Sequence, residues 1–93
     1  MLEKILEFFS IKIWRLQGYD TFAGESYPLP GIYFSEKSAQ RAAQRELRKL
    51  EKMQPSGQSG GQKEGGIQDR VFIVRPDGTT YRYLPEDSGE TKK

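Results

Sequence analysis

The sequence contains no cysteine, no histidine and no asparagine. Without cysteine there is no disulfide framework, no thiolate nucleophile and no zinc site of the finger or ribbon type. Without histidine the commonest general base and the commonest metal ligand are both missing. Without asparagine there is no N-glycosylation acceptor. Long apolar runs are lacking as well: none approaches the ~20 residues that a membrane-spanning helix requires. The opening stretch Met1 to Phe9 carries acids among its apolar residues and no basic leader, unlike an export signal. Together these absences predict a cytoplasmic protein that is not an enzyme and has no cofactor, no metal and no membrane partner.

What is present bounds the fold. The chain of 93 residues supports one domain with one modest core. Only 34% of residues are hydrophobic, but five tyrosines, five phenylalanines and Trp14 supply large units of burial, about 150–250 Å² each. The net charge of +2 gives no global polycationic signal.

Along the chain, Leu2, Ile5, Leu6 and Phe9 fall at i, i+3, i+4 and i+7, which predicts a short amino-terminal helix that needs docking to be stable. Ile11 to Leu16 is β-branched and aromatic and reads as a strand that Gly18 ends. Asp20 is placed to close an Asx-turn, and Gly24 to take positive φ. Residues 26–34 look extended, with Pro28 and Pro30 confining them to an edge strand or a strap. Glu36 to Met53 reads as a helix capped by Ser35, with Phe34 stapled to Ala39 and a buried stripe of Ala39, Ala43, Leu47, Leu50 and Met53. Ser56 to Gly66 has no apolar residue and five glycines, so residues 55–67 are expected to form a flexible Gly/Ser/Gln loop. The run Arg70 to Leu84 predicts a hairpin turning at Pro76-Asp77-Gly78, with Arg75 facing Thr79, Ile73 facing Tyr81 and Val71 facing Tyr83.

Assembled, these elements predict an α+β domain over residues 1–87 and a disordered tail over 88–93. A small antiparallel sheet of three to four strands, ending in a carboxy-terminal hairpin, packs on one long helix, with a short amino-terminal helix beside it. Trp14, Leu47, Leu50, Phe72 and Val74 are expected in the core.

Three features invite chemistry. The glycine-rich stretch lacks the G-x-x-x-x-G-K-[ST] order of a phosphate loop and leads into a strand, not a helix. Asp20 and Glu25 form one carboxylate pair in a turn, without a third ligand or a base beside them. The third feature is a basic ridge. Lys37, Arg41, Arg45, Arg48 and Lys52 recur at i, i+4, i+8, i+11 and i+15 on the long helix. Such a row can track phosphates; it can equally be a solvated face eased by pairs such as Arg48–Glu51.

The hairpin offers another lead. Val71, Ile73, Tyr81 and Tyr83 share one face, and one helix can cover only one face of a sheet. The uncovered face must meet the amino-terminal helix Leu2–Phe9, the Trp14 strand or a partner, and Val71, Ile73, Tyr81 and Tyr83 are the set read as partner-facing. The leading expectation is a protein-interaction or self-association module whose partner is another protein or a second copy in a homodimer. The alternative is a nucleic-acid-binding module that uses the ridge, with tyrosines for base stacking.

Overall fold

The computed structural model describes residues 12–84. The helix expected over Leu2–Phe9 and the tail expected over 88–93 lie outside the described residues. The rest is an α+β arrangement with a four-stranded antiparallel sheet in the order β2-β1-β3-β4. Its strands are β1 (Arg15–Asp20), β2 (Glu25–Pro28), β3 (Arg70–Val74) and β4 (Thr80–Arg82). A long helix, α1 (Glu36–Met53), and a single helical turn, α2 (Ser56–Ser59), connect β2 to β3.

β1 and β2 form a hairpin in which Gly18 pairs with Tyr27 and Asp20 with Glu25. The turn follows the sequence reading. Asp20 Oδ1 accepts from the backbone N–H groups of Phe22 and Ala23, and Gly24 closes the turn at φ +70°. Gly18 does not end the strand, as its chemistry suggests, but sits inside it. The Tyr27 ring lies over that glycine, and a Cβ at position 18 would collide with the ring. β2 is an edge strand, which is why Pro28 is tolerated. Beyond it Tyr33 returns to pair with Trp14.

β2 and β3 are both antiparallel to β1, so they run parallel to each other with β1 between them. Such a split crossover must travel over one face of the sheet, and α1 is the element that does so. Ser35 caps it by accepting from the Ser38 N–H at 3.1 Å. Its buried stripe is Ala39, Ala42, Ala43, Leu47 and Leu50. The alanines let the helix backbone approach the sheet closely. Two expectations are corrected here. Met53 is 66% exposed, so the buried stripe ends at Leu50, and Phe34, at 64%, projects into solvent instead of stapling α1.

β3 and β4 pair in the expected register, with Ile73 opposite Tyr81 and the Tyr83 N–H donating to the Val71 carbonyl. Gly78 takes φ +92° in the turn between them, and the Arg75 N–H reaches the Thr79 carbonyl. The face of this pair is opposite to expectation. Val71 and Ile73 are both 0% exposed and form the floor of the core beneath α1, with Leu16 beside them. Phe72 and Val74 point to the other face and are not core residues. β1 decides this. Leu16 stands opposite Ile73, whereas Arg15 and Gln17 stand opposite Val74 and Phe72, so only one side of the joined sheet is apolar across several strands. The set read as partner-facing is therefore the inner face. Val71 and Ile73 are sealed, and Tyr81 and Tyr83 pack against the core edge.

Where composition predicts a flexible loop over 55–67, the structure places α2 and a hydrogen-bonded return. Gly60 follows α2 in the left-handed conformation, and the Ile67 N–H donates to the Ser59 carbonyl at 2.6 Å. Arg70 donates to the carbonyls of Gly61 and Gly66, and Arg82 to that of Gln62. These guanidinium groups supply from outside the donors that a glycine-rich segment cannot provide through side chains.

Candidate functional site

At 3.6 residues per turn, Lys37, Arg41, Arg45, Arg48 and Lys52 occupy roughly 80° of the α1 circumference. All five are exposed. Lys37, Arg41, Arg45 and Arg48 line one open groove of about 510 Å³, whose other wall is Gln40, Gln44 and Tyr83. Lys52 continues the ridge but stands outside the groove.

Helix α1 has three carboxylates, and each is committed elsewhere. Glu36 accepts from the Tyr81 hydroxyl at 2.7 Å. Glu46 pairs with Lys49 at 3.4 Å, on the flank away from the ridge. Glu51 is the acid expected to neutralise Arg48. Instead it holds the start of α2, accepting from the Ser56 N–H at 3.1 Å and from the Ser56 hydroxyl. The Gln68 amide adds a third bond. The Ser56 hydroxyl bond, reinforced by the Ser56 N–H, holds the Glu51 carboxyl below its ordinary pKa. Among the described residues no ridge cation forms an ion pair.

The tyrosine wall is held by the same helix. Tyr83 donates from its hydroxyl to Gln44 Oε1 at 2.8 Å, and the Gln40 amide donates to the Tyr81 hydroxyl. Desolvation, followed by the bond to Glu36, raises the Tyr81 pKa. The Arg75 guanidinium lies 4.4 Å from the centre of the Tyr81 ring, a cation–π contact. Gln40 and Gln44 were not singled out as site residues. Their signal was their own i, i+4 repeat, one position ahead of Arg41 and Arg45.

The Asp20–Glu25 pair resolves into a turn-former and a strand end, placed opposite each other in the hairpin register. Among the described residues no group of three acidic side chains is brought together, and no helix is long and apolar enough to cross a membrane. Compared with protein-family models, curated proteins and solved structures, the chain matches none.

Proposed function

We propose that this protein is a non-catalytic binding module that holds a nucleic acid along the α1 ridge. The observation that carries this reading is the groove itself. Four cations line it, and every carboxylate of their helix is engaged with another residue. The one i+3 ion pair open to the ridge, Arg48–Glu51, is not made, because Ser56 holds the Glu51 carboxylate. Phosphates are the natural counter-charge for such a row, and each phosphate contact displaces condensed counterions.

Binding of labelled oligonucleotides, followed by fluorescence anisotropy across a salt series, tests this. Arg41→Ala and Arg45→Ala should each weaken binding uniformly across base sequences and lower the salt slope by about one. Absence of binding at about 50 mM salt, where phosphate contacts are strongest, would end the reading.

A second reading, a protein partner or a second copy, has one observation in its favour. Phe72 and Val74 form a half-buried apolar patch on the sheet face opposite α1. A light-scattering mass well above that of the 10.7 kDa chain would support self-association through that face.

A further inference from the structure

A second pocket adjoins the ridge groove, and Gln44 and Arg48 line both. This pocket, of about 600 Å³, lies between α1 and the glycine-rich return. Leu47 and Leu84 give it apolar walls, and Lys63 adds a cation on the side of the return. Leu84, two residues beyond β4, is 45% exposed. The amide nitrogen of Gln44 has no partner among the described residues, because its hydrogen bond to Tyr83 uses only the oxygen.

Building on the ridge reading, we infer that the ligand is a single-stranded nucleic acid, with one unpaired base seated in this pocket while the ridge follows the backbone. Two features point to a single strand. The ridge is one row of cations, running roughly 16 Å from Lys37 to Arg48, and so serves one line of phosphates. The pocket sets the apolar Leu47 and Leu84 among polar side chains, the Glu51 carboxylate included, and only a base free of its complement can leave the stack to enter it. Its size is that of an ordinary small-molecule site, on the order of 300–1,000 Å³. Gln44 and Arg48 line both the groove and the pocket and carry amide and guanidinium N–H groups. Both are donors, so they suit the acceptor atoms of a base edge.

The test compares three ligands of equal length by anisotropy: a base-bearing single strand, an abasic strand with the same number of phosphates, and a duplex. The base-bearing strand should bind roughly tenfold tighter than the abasic one, since burial of part of one base face against Leu47 and Leu84 accounts for a difference of that order. Leu84→Asp should bring that ratio close to one while leaving the salt slope unchanged. Arg41→Ala should do the reverse. If abasic and base-bearing strands bind equally, or the duplex binds best, the pocket has no such role and the ridge reading stands without it. If none of the three binds, the ridge reading fails and takes the pocket with it. Circular dichroism of Leu84→Asp confirms that the exposed position has not disturbed the fold.

Discussion

The sheet-facing side of α1 and the glycine-rich return at its carboxy-terminal end are neighbours built on opposite principles. The first is apolar: alanines and leucines close over Val71 and Ile73 with no polar atom among them. The second is almost wholly polar. Gln54, at the end of α1, accepts from the Asp69 N–H at 2.8 Å, and its carbonyl accepts from the buried Gln68 amide at 2.8 Å. Gln62 donates to Gln68 and to the Asp69 carbonyl, and the Tyr27 hydroxyl reaches Asp69 from the far edge of the sheet. Desolvation of Tyr27, together with that carboxylate, raises its pKa well above the ordinary value. Apolar packing tolerates small errors of direction; a hydrogen-bond network demands particular groups at particular places. One region is thus robust in kind and sensitive to volume, the other sensitive to single atoms.

The largest break in this contrast should come from the apolar side. Leu50→Ala removes a buried side chain from the carboxy-terminal end of the α1 stripe and should cost about 2–5 kcal/mol in urea unfolding. A loss below about 0.5 kcal/mol, the scale of a surface substitution, would mean that this face of α1 is not the core.

The glycines sharpen the comparison next. A Cβ on Gly66 would stand 2.4 Å from the Gly61 carbonyl oxygen, a backbone atom that cannot swing away. Gly66→Ala should therefore destabilise by about 1–3 kcal/mol, as overpacking does. Gly57, with open space around it, lies in a helical turn, where alanine should be neutral or stabilising by up to about 1 kcal/mol. A flexible linker would be indifferent to both changes. Equal effects of the two in thermal unfolding, or amide order parameters below about 0.6 throughout 56–66, would return the segment to that description.

A smaller effect is expected at Gln54. Gln54→Ala removes the acceptor for the Asp69 N–H and leaves that group to find water, at a cost of about 1 kcal/mol. If the amide of Asp69 exchanges no faster in the variant, the clasp is not holding the segment.

The smallest effect is a dependence on pH. The folded-state pKa of Glu51 is depressed, so its contribution is present above the unfolded value and lost as pH falls through the lower, folded value. Below about pH 4 the Ser56 amide resonance should shift together with the Glu51 carboxyl carbon in NMR titration. A Ser56 amide that ignores the Glu51 titration would show that the two are not coupled in solution.

Legibility in the sequence followed the same divide. The bounds of helix α1 were readable to the residue, because its cap and its stop signals agree, while its buried stripe gains Ala42 and loses Met53. Both hairpin turns were readable as well, since Asp20, Gly24 and Gly78 each have a local reason to be where they are. The face of the β3–β4 pair was not, because Val71 and Ile73 look no more apolar than Phe72 and Val74. The information lay in β1, where Leu16 is flanked by Arg15 and Gln17, and it becomes usable only once the β1–β3 register is known. The return over 55–67 was illegible for a different reason. Its order comes from Arg70, Arg82 and Gln54, which lie outside the segment, so its own composition describes only what it lacks. The ridge cations could be listed from spacing alone, but their freedom could not. That depends on Glu51 turning towards Ser56.

The place of β1 also has a consequence in time. Each hairpin can form from neighbours in the chain, yet neither alone has a core. The pairing that joins them sets Leu16 against Ile73, 57 positions apart. Closing a loop of that length precedes most of the apolar reward, and the entropic cost grows with the logarithm of its length. The rate of folding should therefore be set by this one encounter at the middle of the sheet, with α1 condensing onto Val71 and Ile73 as it occurs.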